Sequence, residues 1–274
     1  MKQSAIGIFD SGIGGLTVAH AIKKCLPNEN LIYFGDTQHL PYGEKSEASI
    51  NLFSKKITSF LIQKKCKAII IACNSAASVA LETVKKVAKE TPVFNVIDPV
   101  INYVAEKYKN TEANTNIGII GTKATIQSKN YEEKIKSFNS KIIVSSLQTP
   151  LLAPMIEEGF FNENISKAII NKYLSDKKLK NITGLILACT HYPLIQNEII
   201  NYYRVRNTIK RKIHVIDSAK IIAKYVAENI KNINKSNKSE YKFYVSNYTK
   251  SFEESAKLFF KENIFLEEKN LFND

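Results

Sequence analysis

Two ten-residue segments of similar sequence restrict the fold of this chain more than any other feature. Lys67–Ala76 reads KAIIIACNSA, and Thr183–Tyr192 reads TGLILACTHY. A second similar pair lies upstream, AIGIFDSG from Ala5 and NIGIIGTK from Asn116. The upstream segments begin 111 residues apart and the two Ala-Cys cysteines lie 116 residues apart, so order and spacing nearly coincide. This internal repeat indicates two duplicated halves.

Short apolar runs alternate with amphipathic stretches along the chain, which is typical of βα units around a mostly parallel sheet. Helices are predicted over, among other segments, 45–65, 75–90, 163–179 and 218–231. The predicted fold class is α/β, with two pseudo-symmetric, doubly wound parallel-sheet domains of the flavodoxin-like type facing a shared cleft. Strands are predicted near 5–9, 31–34, 67–72, 93–96, 117–121, 142–146, 183–188, 213–216 and 242–245.

The repeat also predicts the domain boundaries. The first α/β domain is expected to comprise residues 1–98 plus 207–274, and the second residues 99–206. The strands and helices predicted in the segment 207–274 are expected to return and complete the first half. The tail 264–274 mixes charged and apolar residues and predicts no element.

Composition restricts the location and the cofactors. The first apolar run ends at Asp10 and is too short for a signal peptide or a membrane span, so we expect a cytoplasmic protein that binds no membrane. The four cysteines are too scattered for a disulfide framework or a metal site. We therefore expect free thiols and no bound metal.

The formal net charge of +13 would suit a nucleic-acid-binding protein. However, only three arginines occur, and the lysines are spread over nearly every predicted helix. The densest basic segment, Arg204–Lys212, has no interleaved aromatic residues. We expect no nucleic-acid partner, and steep salt-dependent binding to DNA would support the alternative. A mobile two-domain cleft is compatible with a homodimer.

Polar residues follow the predicted strands at their carboxyl ends, where open α/β sheets bind ligands. Four such segments are Asp10–Gly12, Gly35–Thr37, Cys73–Ser75 and Cys189–His191. If the two halves face each other, one cleft receives all four.

Cys73 and Cys189 are the candidate reactive groups, because the repeat places both at equivalent strand ends. A free thiol has a pKa of about 8.5, and a following helix N-terminus lowers the pKa by roughly one unit, which leaves each thiol between its two states. Two equivalent thiols suit a nearly symmetric reaction, the inversion of a stereocentre, in which one removes a proton and the other supplies one. Such a reaction requires no cofactor. Cys25 and Cys66 are expected to be core residues.

Two further interpretations of these motifs remain open. A thiol-based redox protein would form a disulfide between Cys73 and Cys189, which requires Cα atoms within about 7 Å. The glycine-rich loop Asp10–Thr17 could instead hold a phosphate, but it has a threonine at the third glycine position of the dinucleotide fingerprint and lacks the lysine of a P-loop. Its backbone N–H groups are better suited to a carboxylate, with Asp10 near a substrate ammonium group.

Five segments together resemble the glutamate racemases of the aspartate/glutamate racemase superfamily. They are FDSGIGGLTV (Phe9–Val18), YFGDTQHLPYGEK (Tyr33–Lys45), IACNSA (Ile71–Ala76), PMIEEG (Pro154–Gly159) and LACTHYPL (Leu187–Leu194). The resemblance implies cofactor-free interconversion of L- and D-glutamate by two thiols, supplying D-glutamate for peptidoglycan in a bacterium. Aspartate enzymes usually carry an acidic residue where this chain has His191, so glutamate is the expected substrate and aspartate the alternative.

The resemblance also implies roles for individual residues. Cys73 and Cys189 are the proton acceptor and donor, with Cys73 acting on D-glutamate and Cys189 on L-glutamate. Asp10, Asp36, Glu157 and His191 are auxiliaries around the thiols. The implied substrate contacts are Asp10, Ser11, Tyr42, Gly43, Asn74, Ser75, Thr190 and His191. The remaining histidines His20, His39 and His214 are expected to be structural or exposed.

Overall fold

A computed structural model describes residues 4–110, 115–161, 163–206, 213–234 and 238–272. These residues form ten β-strands and twelve α-helices. The strands are β1 Ile6–Asp10, β2 Leu31–Gly35, β3 Ala68–Ile71, β4 Val93–Asn95, β5 Asn116–Gly121, β6 Ile143–Gln148, β7 Gly184–Ala188, β8 His214–Asp217, β9 Tyr241–Val245 and β10 Leu266–Glu268. The helices are α1 Leu16–Cys25, α2 Glu47–Gln63, α3 Asn74–Val79, α4 Leu81–Ala88, α5 Asp98–Lys107, α6 Lys123–Gln127, α7 Asn130–Phe138, α8 Leu152–Glu157, α9 Asn164–Leu174, α10 Gln196–Arg206, α11 Ser218–Asn229 and α12 Lys250–Phe260.

The strands form two parallel sheets, which confirms the predicted fold class. One has the order β10-β9-β2-β1-β3-β4, and the other has the order β6-β5-β7-β8. Every strand pair is parallel. The order β2-β1-β3-β4 in the first sheet corresponds to β6-β5-β7-β8 in the second. The repeat in the sequence is therefore a repeat in topology.

The central strands are mostly apolar, and β1 ends on the buried Asp10. All residues of β1, β3 and β7 are buried, as is typical of strands in parallel sheets. The nine predicted strands are confirmed within a few residues. The predicted helix 75–90 is two helices, α3 and α4, which meet at Ala80. The predicted helix 163–179 ends at Leu174 and is followed by a short 3₁₀ turn.

The C-terminal part of the chain returns to the first sheet, with one correction to the prediction. β9 pairs with β2, and β10 pairs with β9, so residues 241–268 extend the first half. In contrast, β8 lies within the segment 207–274 that we assigned to the first domain, yet it pairs with β7 in the second sheet. The reason is that β8 is the counterpart of β4 and completes the second four-stranded unit before the chain crosses back.

Residues 207–212 of the basic segment Arg204–Lys212 lie outside the described residues. Within the described parts of the chain, we find no helix that combines the length and the apolar character needed to cross a membrane.

Candidate active site

A cavity of about 250 Å³ lies between the two sheets at the carboxyl ends of their central strands. The loops after β1, β3, β5 and β7 contribute to its wall. Ten of the twelve site residues expected from the sequence line it: Ser11, Tyr42, Gly43, Cys73, Asn74, Ser75, Glu157, Cys189, Thr190 and His191. Both cysteines of the repeat thus line one cavity. A larger cavity of about 410 Å³ lies between α1, α11 and the start of α10, and neither of these two thiols lines it.

Cys73 immediately precedes α3 and is almost fully buried. Its sulfur accepts a hydrogen bond from the backbone N–H of Ala76 at 3.5 Å, and its S–H group donates to Ser11 Oγ at 3.6 Å. Burial and the negative charge of Asp10 raise the pKa of the Cys73 thiol to about 12. We expected the helix N-terminus to lower the pKa of this thiol until it lay between its two states near neutral pH. That expectation is wrong, because the cost of burying a thiolate outweighs the effect of the helix dipole.

Cys189 has different neighbours. Its sulfur lies 3.6 Å from Nδ1 of His191, and the other ring nitrogen, Nε2, lies 2.7 Å from Oε1 of Glu157. Burial alone would lower the pKa of His191, but the negative charges of Cys189 and Glu157 raise it well above its usual value. The edge of the imidazole packs against Phe259 of α12, with ring centroids 5.2 Å apart. The sequence His191-Tyr192-Pro193 continues into a short 3₁₀ helix rather than directly into an α-helix.

Asp10 lies behind the cavity wall and does not line it. Its carboxylate is fully buried and accepts hydrogen bonds from the N–H of Gly12 at 3.1 Å and from the hydroxyl of Thr190 at 3.4 Å. Burial raises the pKa of Asp10, although His191 opposes this shift. Asp10 thus joins the first half to the loop that carries Cys189.

Asp36 also lies outside the cavity and is fully buried. It accepts hydrogen bonds from Tyr42 Oη at 2.6 Å, from Ser246 Oγ at 2.7 Å and from the ring of His39 at 2.9 Å. Burial and the nearby Asp36 raise the pKa of Tyr42 well above its usual value. Tyr42 therefore stays protonated and is the donor in its hydrogen bond to Asp36. His39, which was expected to be a structural or exposed residue, makes a structural contact with Asp36.

Asn74 and Ser75 form the side of the cavity where the first half meets the second. The hydroxyls of Ser75 and Thr122 are 2.9 Å apart. Asn74 Oδ1 accepts a hydrogen bond from Tyr131 Oη at 2.8 Å, whereas its buried Nδ2 finds no acceptor among the described residues. A hydrogen-bond donor is therefore available in the cavity wall.

Sequence reasoning missed several residues of the wall. Thr122 is the informative one, because the repeat aligns NIGIIGT with AIGIFDS and so places Thr122 opposite Ser11. That alignment was the signal that could have identified it. The others carry no polar side chain and were not named as site residues: Leu40, Pro41, Ala153 and Pro154. Gly12 also lines the cavity, as expected of the segment Asp10–Gly12.

The four cysteines, which all lie within the described residues, are free thiols. Cys25 is exposed, and Cys66 is buried against the first sheet. Burial raises the pKa of Cys66 to about 12. The expectation of free thiols is confirmed, and the assignment of Cys25 to the core is wrong, because α1 turns this side chain towards solvent.

Comparison with known proteins identifies the family. The sequence profile of the Asp/Glu/Hydantoin racemase family matches residues 15–226. The chain is 38% identical over 261 residues to glutamate racemase 3 of Caldanaerobacter subterraneus, covering 94% of this chain and 91% of the relative. It is 40% identical over 227 residues to the glutamate racemase of Aquifex aeolicus, covering 83% and 84%.

Solved structures agree with the sequence relatives. The crystal structure of glutamate racemase from Francisella tularensis in complex with D-glutamate superposes with a TM-score of 0.88 at 37% identity, covering 99% of both chains. The chain therefore belongs to the Asp/Glu/Hydantoin racemase family and, within it, to the glutamate racemases.

Proposed function

We propose that this protein interconverts L- and D-glutamate without a cofactor, by transferring protons at Cα between two thiols. One observation carries the proposal: Cys73 and Cys189, at equivalent ends of β3 and β7, line the same cavity of about 250 Å³ from opposite sheets. A racemase needs one base on each face of the carbon, and the two sheets supply one each. The glutamate racemases among the relatives support the substrate.

The two thiols have different surroundings, and these suggest which thiol gives up a proton and which accepts one. Cys73 has a pKa of about 12 and is protonated at neutral pH. Protonated His191 lies 3.6 Å from the sulfur of Cys189, so its positive charge can pair with the thiolate that the mechanism requires. With L-glutamate bound, the Cys189 thiolate removes the Cα proton, and the Cys73 thiol delivers its proton to the opposite face. The products are D-glutamate, a Cys189 thiol and a Cys73 thiolate, and the reverse reaction restores the starting state.

The residues around the thiols supply charge balance and binding. Glu157 holds His191 at 2.7 Å and favours its protonated form. The free donor of Asn74 can bind a carboxylate without an arginine. The hydroxyls of Ser75 and Thr190 also line the cavity, and Thr190 would donate to a substrate carboxylate only by turning its proton away from Asp10. Ser11, Tyr42 and Gly43 complete the proposed contacts. Asp10 acts on this wall through Thr190 and Gly12.

The reaction also suggests a setting. Because the proposed chemistry requires both thiols to be reduced, we place the protein in the reducing cytoplasm. There it would supply D-glutamate for peptidoglycan, in keeping with the bacterial sources of its relatives. A membrane or nucleic-acid partner has no part in this chemistry.

The test is Cα proton exchange followed by NMR, with L-glutamate in deuterated water and no added cofactor. Deuterium incorporation together with loss of optical rotation is expected for the parent protein. Racemisation should stop in Cys73→Ala and in Cys189→Ala, and deuterium incorporation into L-glutamate should stop in Cys189→Ala, which lacks the base for this enantiomer. Racemisation and exchange should both persist in Cys25→Ala, which removes the exposed thiol. Exchange with aspartate but not with glutamate would identify aspartate as the substrate and would leave the two-thiol mechanism in place. Full activity in either active-site variant would refute the two-thiol mechanism.

A further inference from the structure

Tyr42 lines the cavity, but the groups that hold its hydroxyl lie behind the wall. The hydroxyl donates to Asp36 at 2.6 Å, and Asp36 is fully buried. The carboxylate oxygens are occupied by three donors, Tyr42, Ser246 and His39. Since Asp36 does not line the cavity, it reaches a ligand only through Tyr42.

The C-terminal part of the chain supplies one of these donors. Ser246 follows β9 and is 1% exposed, and its hydroxyl also accepts a hydrogen bond from the N–H of Gln38 at 2.8 Å. The neighbouring Asn247 N–H donates to the hydroxyl of Thr37 at 3.0 Å. The loop after β2 is therefore held by residues about 210 positions later in the chain.

The C-terminal segment also packs against His39, the second residue that donates a hydrogen bond to Asp36. The His39 ring stacks on Phe53 of α2 at a centroid distance of 4.1 Å, and Phe272 packs against it in a T-shaped arrangement with ring centroids 4.4 Å apart. Phe272 also packs against Phe53 at 5.6 Å. β10 brings Phe272 to this position, because β10 pairs with β9. Lys269, which follows β10, donates a backbone hydrogen bond from its N–H to Val245 O at 2.8 Å.

We propose that the C-terminal segment Leu266–Phe272, together with Ser246, positions Tyr42 for substrate binding through His39 and Asp36. Asp36 is in this view a positioning residue, because the carboxylate orients the phenol and touches no reacting atom. The consequence for substrate binding rests on the proposed function, whereas the coupling of the tail to Tyr42 does not.

The first test measures the coupling without substrate. The buried Tyr42 hydroxyl proton, bonded to a carboxylate, is expected to exchange slowly and to give a downfield proton NMR signal, which Tyr42→Phe identifies by its loss. Phe272→Ala and Ser246→Ala should shift or remove this signal. Phe265→Ala is the matched control, since Phe265 lies in the same tail but is 85% exposed, and it should leave the signal unchanged.

The second test measures the consequence for catalysis. Phe272→Ala and Ser246→Ala are expected to raise KM for glutamate about 3- to 10-fold, the effect of one misplaced hydrogen bond, with a smaller change in kcat. In a Tyr42→Phe background the same substitutions should raise KM less than twofold, because the bond they support is already absent. Ser246→Thr, which keeps the hydroxyl, should restore most of the binding.

The outcomes separate the two proposals. No glutamate exchange in the parent protein would refute the proposed function, while the hydroxyl signal would still report the coupling. An unchanged signal in Phe272→Ala and Ser246→Ala would overturn the inference. An equal rise in KM with and without the Tyr42 hydroxyl would also overturn it, since the tail would then act by another route.

Discussion

The two thiols of this protein occupy equivalent positions in the repeat but have different partners. Cys73 contacts Ser11 and lies near the buried Asp10, whereas Cys189 contacts His191. The repeat aligns His191 with Ser75, so only the second half places an imidazole beside its thiol. The proposed reaction, although nearly symmetric, would thus start from an asymmetric distribution of protons, because the pKa of Cys73 is raised to about 12 and that of His191, beside Cys189, is raised well above its usual value.

Replacing Glu157 with glutamine is expected to lower the pKa of His191, because Glu157 is one of the two groups that raise it. The pKa can be measured by NMR titration of the imidazole ring, with His191→Asn to identify its signals. Glu158→Gln is the matched control, since Glu158 is the exposed neighbour, and it should leave the midpoint unchanged. An equal midpoint in the parent and Glu157→Gln would contradict this account.

The raised pKa of His191 also predicts a pH dependence of stability. The folded protein holds this proton more tightly than the unfolded chain, in which the pKa is about 6.5. The resulting stabilisation is fully present below pH 6.5 and is lost as the pH rises through the folded-state pKa. The free energy of unfolding, measured with urea at several pH values, should therefore fall less above pH 6.5 in Glu157→Gln than in the parent protein.

At the scale of elements, the loop between β1 and α1 carries the contact between the two halves. A Cβ atom at Gly14 would lie 2.5 Å from His191 Nδ1 and 2.5 Å from Thr190 Oγ1. In α1, the Thr17 hydroxyl donates to the backbone oxygen of Thr190 at 2.9 Å. Glycine at position 14 thus lets a first-half loop approach the loop that carries Cys189.

Gly14→Ala is accordingly expected to reduce the exchange rate about 10- to 100-fold, as overpacking by about 1–3 kcal/mol would. The nearest atom to a Cβ at Gly12 is Leu40 Cδ2 at 3.4 Å, an ordinary contact. Gly12→Ala should therefore cause a much smaller loss. Circular dichroism of both variants checks that the fold persists. Similar losses in the two variants would mean that the clash with His191 is not the cause.

At the scale of the molecule, the cavity lies between two sheets, and polar contacts help to join the two halves. Ser75 meets Thr122, and Glu44 forms an ion pair with Lys123 at 2.8 Å. Both charged side chains are nearly half exposed, so this pair adds little to stability. A ligand that contacts both halves is therefore expected to stabilise their arrangement.

Saturating D-glutamate should raise the melting temperature of the whole protein. At about 100 times Kd, the linkage contributes about 2.7 kcal/mol, which corresponds to roughly 5–10 °C for a chain of this size. Differential scanning calorimetry measures the shift. Aspartate, one methylene shorter, should give a smaller shift at the same concentration. A larger shift with aspartate would assign the cavity to the shorter substrate.

Much of the architecture could be predicted because its signals are local. The apolar runs of β1, β3 and β7 and the repeated Ala-Cys ends depend only on neighbouring residues, and they indicated both the α/β fold and the two thiols. β10 was missed because its three residues, Leu-Glu-Glu, form no apolar run. It exists because the edge of β9 offers a partner. β8 was assigned to the wrong sheet because sequence order does not show where the chain crosses back.

The sequence by itself therefore determined the alternation of strands and helices, the duplication and the pair of thiols that line one cavity. Only the tertiary structure decided the state of each group in the site. The pKa of Cys73 depends on burial, and that of His191 on burial and charges brought near by folding. The place of Asp36 depends on Ser246, which lies 210 residues later. Periodicity and motifs describe neighbours along the chain, whereas desolvation and hydrogen bonding depend on neighbours in space.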